Sequence, residues 1–312
     1  MRILQVNNSS SMVGGTANCS LSITRAFPDC EHSVHFTTFS SKEAEIAFSG
    51  HRVTCGEVTQ SVMQGNDLVI FHNTPEQRFP AHIPAECVTV FYQHSAARSC
   101  SVPRSRCDFR FVVSEFLAER VGLQKDTVLY QPVEKADRIE DGRTRSRVIR
   151  YCTPNSAKWP EGMEKLYEAI SKELSGAFEF LFIGAPEFAQ KRLKAIVPDA
   201  VFLPASPTAI RFLGASDVLL YSGPEETYGR VVCEAQRSGV YPIVSNIGGF
   251  REQICGVNSG QICGSDNEFV AALYYYSREK PSIEKLIECG DSRGSHSVFR
   301  KSFLRALKGK RA

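Results

Sequence analysis

Short runs of aliphatic and β-branched residues alternate along this chain with segments whose apolar residues recur at helical spacing. The runs predict buried strands at 3–6, 67–72, 88–94, 109–114, 148–152, 178–184, 200–204, 217–221 and 241–245. Helical spacing is clear over 163–174 and over 298–312. Apolar strands separated by helices are typical of parallel sheets that are covered on both faces. The pattern therefore predicts an α/β fold.

Length and composition fit two ordinary globular domains. The chain has 312 residues, which suits two domains better than one, and 42% hydrophobic residues are enough for a sizeable core. A net charge of +3 is too small to indicate nucleic acid by itself, although it tolerates anionic ligands. Eleven cysteines without a C-x-x-C pair or a signal peptide predict reduced thiols and a cytoplasmic location. No apolar run approaches the ~20 residues that span a bilayer.

The segment 217–249 carries the most chemical information. A buried strand (217–221) and a turn precede Glu226 and Gly229, and a helix over 230–237 then leads to a second strand. In such a βαβ unit the first turn lies at the carboxyl edge of a parallel sheet. The helix start suits a phosphate, and Glu226 beside it would accept hydrogen bonds from hydroxyls of an attached sugar. Glu234 could do the same for a ribose; the alternative is that both are ordinary helix glutamates.

This segment resembles the E-x7-E signature of the retaining glycosyltransferases of the GT-B fold, family 4 type. The matching elements are Glu226, Thr227, Tyr228, Gly229, Glu234-Ala235, Gly239, Pro242-Ile243-Val244 and Gly248-Gly249. The resemblance implies two Rossmann-like doubly wound parallel-sheet domains that face each other across a cleft. It places an acceptor-side domain at 1–138, a donor-side domain at 139–297, and a C-terminal helix at 298–312 that crosses back to the first domain. It also implies that 127–133 is the last strand of the first domain, with its Pro turn before the linker.

The resemblance also implies the roles of individual residues in the second domain. Glu226 would be catalytic by holding hydroxyls of the donor sugar. Thr153 stands where the family carries an arginine that touches the diphosphate, while the lysine five residues later is kept as Lys158. The lost charge could come from Arg230 or another basic group. The implied donor-binding residues of this domain are Lys158, Leu203, whose backbone would face the nucleobase, Thr227, Tyr228, Gly229, Arg230 and Glu234.

In the first domain the candidates are a glycine pair and a histidine. Gly14 and Gly15 stand between the first strand and a helix, where backbone can approach a phosphate closely. A plain loop-to-helix turn explains them equally well, but the resemblance implies contact with the donor diphosphate and acceptor. His72 and His94 each end a strand. The resemblance places His94, as a catalytic residue, near the reacting carbon of the sugar, whereas His72 fits a hydrogen bond to nearby backbone.

Metal and cofactor chemistry is not expected. Cys30, His32 and His35 have the spacing C-x-H-x-x-H, which lacks a nearby fourth zinc ligand, and no D-x-D motif stands in a suitable place. The predictions are therefore no metal and no cofactor, with a nucleoside-diphosphate sugar as the donor substrate.

The function expected from these features is retaining transfer of a sugar to a hydroxyl acceptor, whether a glycan, a lipid-linked acceptor or another. A nucleoside-diphosphate-sugar epimerase of related fold is one alternative. A sugar-nucleotide or nucleic-acid binding module is another, because RTRSR (143–147) and the C-terminal tail are basic. A further basic loop is predicted at 98–107, next to the expected acceptor crevice. A glycosyltransferase that acts on nucleic acid stays open. For the tail, peripheral membrane contact is a competing interpretation.

Overall fold

The computed structural model describes residues 1–96, 106–223 and 226–309. The chain forms two compact units, Met1–Pro132 with His296–Ala312, and Val133–Ser295. Most of the basic loop that the sequence predicts at 98–107 lies outside the described residues.

The first unit is built on one parallel sheet. Its strands are β1 (Arg2–Asn7), β2 (Glu31–Phe36), β3 (Arg52–Cys55), β4 (Leu68–His72), β5 (Val88–Gln93) and β6 (Phe109–Val112). They lie in the order β3-β2-β1-β4-β5-β6, and every pair is parallel. The helices that come with them are α1 (Gly15–Ala26), α2 (Lys42–Ala47), α3 (Gln60–Met63) and α4 (Glu115–Arg120).

The second unit repeats this architecture. Its strands are β7 (Ser146–Tyr151), β8 (Phe178–Ile183), β9 (Val201–Leu203), β10 (Val218–Tyr221), β11 (Tyr241–Ser245) and β12 (Gln261–Cys263). Their order is β12-β11-β10-β7-β8-β9, again all parallel. The helices of this unit are α5 (Glu164–Glu173), α6 (Glu187–Ile196), α7 (Arg211–Gly214), α8 (Arg230–Arg237), α9 (Phe250–Gln253), α10 (Asp266–Arg278) and α11 (Ile283–Gly294).

Both sheets are doubly wound, which confirms the predicted α/β fold of two Rossmann-like sheets. In each sheet the strand order reverses between two central neighbours, β1 and β4 in the first and β7 and β10 in the second. Ligands of open α/β sheets bind outside the carboxyl ends of the strands at such a reversal. The loops that follow β7 and β10 carry Lys158 and Glu226. The topology therefore brings these two loops together.

The strand predicted over 127–133 is wrong. Thr127 ends a short 3-10 helix, Val128 forms a single parallel bridge with Val112, and residues 129–133 run as irregular chain. The carbonyl of Leu129 accepts a hydrogen bond from the Tyr92 hydroxyl at 2.6 Å, and Pro132 has no N–H to donate. Because neither the Leu129 carbonyl nor Pro132 contributes a hydrogen bond to a neighbouring strand, strand pairing stops after one bridge.

The C-terminal helix α12 (His296–Lys308) packs on the first unit. Its Phe299 and Phe303 are buried and meet the Phe27 ring edge-on, with ring centroids 6.4 and 5.7 Å away. These apolar side chains are therefore not available to a lipid surface. Within the described ranges, none of the helices combines the length and apolar character that crossing a bilayer requires.

Candidate active site

Glu226 is the centre of a polar cluster in the second unit. Its Oε1 accepts hydrogen bonds from Lys158 Nζ and, at 2.7 Å, from the hydroxyl of Tyr221. The side chains of Glu226 and Lys158 are 20% and 23% exposed, so the pair borders solvent. Burial and the neighbouring carboxylate raise the pKa of Tyr221, which keeps its hydroxyl protonated as a donor. The two residues that the sequence assigns to sugar and phosphate are thus in direct contact.

The loop that carries Glu226 rests on the glycine pair 248–249. A Cβ on Gly248 would lie 2.0 Å from the Glu226 carbonyl oxygen, and one on Gly249 would lie 2.5 Å from that of Thr227. The Gly249 amide also donates to the Glu226 carbonyl at 3.0 Å. The glycine pair of the signature therefore acts on the loop, because only glycine allows the two backbones to approach so closely.

Gly229 makes the turn from this loop into α8. It caps the helix with φ 76° and ψ 62°, a left-handed conformation that favours glycine. A Cβ there would also lie 2.1 Å from the Phe250 ring. Tyr228, the preceding residue, is buried, and Thr227 is half-buried. These positions shape the loop, and the start of α8 supplies the positive end of a helix dipole beside Glu226.

Gln253 is a site-supporting residue that the sequence does not reveal. Its Nε2 donates to the carbonyl of Tyr228, with the carbonyls of Gly249 and Gly229 3.3 and 3.4 Å away. It is fully buried on α9. A lone glutamine four residues after a glycine pair carries no recognisable signal, because its role depends on a contact made across the fold.

Arg230 and Glu234 form an ion pair along α8. Arg230 Nη2 lies 3.3 Å from Glu234 Oε1, and both side chains are 10% exposed. Burial raises the pKa of Glu234 above its usual range, while the Arg230 guanidinium opposes the shift. The charge of Arg230 is therefore shared with a carboxylate of its own helix.

The loop after β7 is held by Trp159 and by a buried arginine. The Trp159 indole is 1% exposed and donates to the Thr153 carbonyl at 3.0 Å. Arg150 is also 1% exposed and donates to the carbonyls of Lys158 at 2.6 Å and Ser222 at 2.7 Å. Arg150 is not among the residues predicted from the sequence, although a cation inside the apolar strand VIRYC is a usable signal.

Leu203 lies apart from this cluster. It ends β9, the edge strand, and β8 separates β9 from β7. Its carbonyl already accepts a hydrogen bond from the Gly184 amide at 2.9 Å. The structure thus joins Lys158 to Glu226 and Arg230 to Glu234, and it leaves Leu203 two strands away from β7.

In the first unit, His94 belongs to a buried chain of hydrogen bonds. Gln5 Nε2 donates to the Ser20 carbonyl at 3.0 Å, so Gln5 Oε1 accepts from His72 Nε2 at 3.0 Å. His72 Nδ1 must then accept from His94 Nε2, also at 3.0 Å, and His94 Nδ1 accepts from the Gln131 amide. Burial lowers the pKa of His72 to about 3. Both imidazoles are therefore neutral, with both ring nitrogens of each in use.

Gly14 and Gly15 begin α1. Gly14 caps the helix in an extended conformation, donates to the Ser11 carbonyl at 3.1 Å, and accepts from the Asn18 side chain at 3.0 Å. A Cβ on Gly14 would lie 3.3 Å from the Ser11 carbonyl oxygen. The pair lies at a strand-to-helix turn, as the sequence predicts, in the same unit as His94.

The histidines that could ligate a metal form hydrogen bonds within the protein. His32 Nε2 lies 2.8 Å from the Phe27 carbonyl, and His35 contacts Thr54 and Gly56 at 2.9 and 3.0 Å. Among the described residues, Cys19, His72 and His94 place their ligand atoms within 4.8 Å of one another. The hydrogen-bond chain through Gln5 and Gln131 accounts for the histidine pair. All ten cysteines of the described ranges are free thiols.

Comparison with known sequence families gives a match within the second unit. Residues 148–277 match the sequence family described as glycosyl transferases group 1. This region runs from within β7 through β12 and contains the Glu226 loop. No curated protein matches the chain in sequence. The family match supports a glycosyl transfer function for this chain.

Solved structures identify the fold of the whole chain. HepE of Anabaena, solved with UDP-glucose, is 14% identical, covers 99% of this chain and 100% of its own, and has a TM-score of 0.74. A glycosyltransferase of Rickettsia africae is 13% identical, with coverage of 99% and 98% and a TM-score of 0.72. Sucrose-phosphate synthase of Thermosynechococcus elongatus is 12% identical, with coverage of 99% and 98% and a TM-score of 0.70. The chain therefore has the GT-B fold of glycosyltransferases, and its second unit matches glycosyl transferases group 1.

Proposed function

We propose that this protein transfers a sugar from a nucleoside-diphosphate sugar to a hydroxyl acceptor, with retention of anomeric configuration. The observation that carries the proposal is the contact between Glu226 and Lys158 at the reversal of the second sheet. A carboxylate can accept hydrogen bonds from the sugar hydroxyls of such a donor, and the neighbouring ammonium can bind its diphosphate. The resemblance of 226–249 to the E-x7-E signature supports retention and the family 4 type.

Free hydrogen-bonding capacity on both partners supports donor binding. Glu226 Oε2 has no donor among the residues that the structure describes, so it can accept from a sugar hydroxyl. An ammonium has three N–H groups, and Lys158 directs one to Glu226, which leaves two for phosphate oxygens. The start of α8 adds its dipole. Glu234 would accept from a ribose, and the backbone at Leu203 would face the base.

The chemical step follows from where charge develops. As the bond between the anomeric carbon and the phosphate oxygen breaks, negative charge grows on the diphosphate and the sugar becomes oxocarbenium-like. Lys158 and the α8 start stabilise that charge without reorganisation. The acceptor oxygen bonds to the anomeric carbon on the same face, and its proton passes to the leaving phosphate oxygen. The step as written needs neither a metal nor a cofactor beyond the donor.

The first-unit residues have proposed roles that rest on the resemblance. Amides at Gly14 and Gly15 would contact the donor diphosphate and acceptor, and His94 would lie near the reacting carbon. Because Gln131 occupies His94 Nδ1 and His72 occupies Nε2, His94 can contact a sugar hydroxyl only after Gln131 moves. A neutral imidazole could then accept from that hydroxyl through Nδ1.

The rival functions receive less support. The matched family consists of glycosyl transferases, which does not favour an epimerase. The basic run 143–147 is occupied by carboxylates: Arg143 pairs with Asp217 at 2.8 Å, and Arg147 pairs with Glu179 at 3.3 Å. A nucleic-acid backbone would therefore have to compete with these acids.

The proposal is tested by release of nucleoside diphosphate from a panel of nucleoside-diphosphate sugars, with and without candidate hydroxyl acceptors. Glu226→Gln should lower turnover at least about a hundredfold, because a neutral amide is a weaker acceptor than a carboxylate for the hydroxyls of a sugar that becomes positively charged in the transition state. The variant should stay folded, since Glu226 borders solvent.

Glu187→Gln is the matched control, because this exposed glutamate lies in the first turn of α6 in the same unit. It should keep the parent rate. Equal turnover by Glu226→Gln and the parent protein would remove Glu226 from the active site. Conversion of the donor sugar without any acceptor requirement would instead support an epimerase.

A further inference from the structure

Arg150 carries a buried positive charge at the junction of the two loops that form the candidate donor site. It lies on β7, is 1% exposed, and its guanidinium carbon lies over the Trp159 and Tyr221 rings, 4.9 Å from each centroid. The guanidinium donates hydrogen bonds to the carbonyls of Lys158 and Ser222. One guanidinium therefore ties the loop after β7 to the loop after β10.

No carboxylate neutralises this guanidinium among the residues that the structure describes. Its neighbour on the same strand behaves differently, because Arg147 forms ion pairs with Asp141 and Glu179, each at 3.3 Å. Burying an unpaired charge is costly, and aromatic faces and carbonyl dipoles repay only part of that cost. A chain that only needed to fill this space would do better with an apolar side chain.

The position of the charge explains why it is useful. A Cβ on Gly223 would lie 3.3 Å from Arg150 Nη2, so the guanidinium lies directly against the backbone that follows β10. Arg150 donates to the carbonyl of Lys158, and the Lys158 ammonium forms an ion pair with Glu226, which neutralises part of its charge. Charge–charge attraction through low-dielectric protein stays significant over several ångströms. The Arg150 charge therefore favours an anion bound along these loops.

We propose that Arg150 is a positioning residue for the donor diphosphate, which fixes both loops and supplies beneath them a positive charge that no carboxylate of the described ranges pairs with. This inference rests on the proposed function. It predicts that the contribution of Arg150 depends on the charge of the ligand. Diphosphate binding should need Arg150, whereas binding of the uncharged nucleoside should not.

The test measures affinities of the parent protein and three variants for a nucleoside diphosphate and its nucleoside. The probe is whichever of UDP, GDP and ADP the parent protein binds best by calorimetry, and the matching nucleoside is followed by ligand-observed NMR. Arg150→Gln should weaken diphosphate binding by roughly tenfold to a hundredfold and nucleoside binding by less than about twofold. Arg150→Lys, which keeps the charge, should recover most of the diphosphate affinity. Arg147→Met is the control and should bind both ligands like the parent.

Three results would overturn the inference. The first is that Arg150→Gln weakens the binding of both ligands equally. The second is that Arg150→Gln leaves the diphosphate affinity unchanged. The third is that Arg150→Lys binds the diphosphate as weakly as Arg150→Gln does. Circular dichroism checks folding; if Arg150→Gln does not fold, the Lys variant decides alone, since a structural role would weaken both ligands alike. If the parent protein binds none of the three diphosphates, the proposed function itself fails and the inference fails with it.

Discussion

Burial sets the protonation state of His72, and through it the direction of the whole hydrogen-bond chain in the first unit. The ring is fully buried and its pKa is lowered to about 3, because the interior disfavours the imidazolium. Neutral His72 can accept from His94 only while Gln5 accepts from its other nitrogen. The protonation of one side chain therefore fixes which nitrogen of His94 carries the proton.

This arrangement predicts an acid-sensitive fold. Unfolded His72 binds a proton below about pH 6.5, whereas the folded form does not until about pH 3. The free energy of unfolding should therefore fall by up to about 1.4 kcal/mol per pH unit from this group as pH drops below 6.5. Urea unfolding of the parent protein and His72→Gln between pH 4 and 7 should show a shallower slope for the variant.

His82→Gln is the control, since His82 is exposed, and it should keep the parent slope. Identical slopes for the parent protein and His72→Gln would contradict the assignment of a neutral, buried His72. The comparison depends on the pH dependence alone, so a uniform loss of stability in the variant does not affect it.

At the scale of elements, the active-site loop is shaped by close backbone contact. The glycine pair 248–249 supports the carbonyls of Glu226 and Thr227, while Gln253 on α9 binds that of Tyr228. The loop therefore gains its shape from the element that follows β11. Its position relative to β10 is set by packing rather than by its own sequence.

Gly249→Ala tests this support. Gly249 has φ −71°, which alanine adopts readily, so the effect would come from its Cβ meeting Thr227 and Tyr228 backbone atoms at 2.5 and 2.8 Å. Unfolding free energy should fall by about 1–3 kcal/mol, and donor turnover should fall as Glu226 shifts. Chemical denaturation and the nucleotide-release assay measure the two effects.

Gly264→Ala is the matched control. Its Cβ would meet only the Glu268 carboxylate, at 3.5 Å or more, and it lies in the same unit. Stability should change by less than about 0.5 kcal/mol. If Gly249→Ala behaves like Gly264→Ala in both assays, the supporting role is wrong.

The same elements show what the sequence can and cannot predict. The strand–helix–strand unit was predicted with the observed bounds of α8 and β11, because apolar runs and punctuating glycines are local signals. The strand at 127–133 was predicted wrongly, since the loss of its ladder depends on the distant Tyr92 hydroxyl. The contacts of Arg150 and Gln253 could not be predicted, because their partners, Ser222 and Tyr228, are brought to them only by the fold.

At the scale of the whole molecule, the strand order itself selects the candidate residues. Each sheet reverses between its first and fourth strands, and the loops that leave the second sheet at its reversal carry Lys158 and Glu226. Residues far apart in sequence thus meet because the topology requires it. The histidine pair ends β4 and follows β5, neighbouring strands on one side of the first reversal. The two units therefore share one strand order but place different polar side chains beside its reversal.

The position of the phosphates in a crystal structure with bound nucleoside diphosphate tests the central claim most directly. The account predicts a phosphate oxygen within hydrogen-bonding distance of Lys158 Nζ, with the diphosphate at the start of α8. It also predicts an intact Arg150 bridge beneath the two loops. A diphosphate bound elsewhere on the second unit, with Lys158 and Glu226 still paired and untouched by ligand, would contradict it.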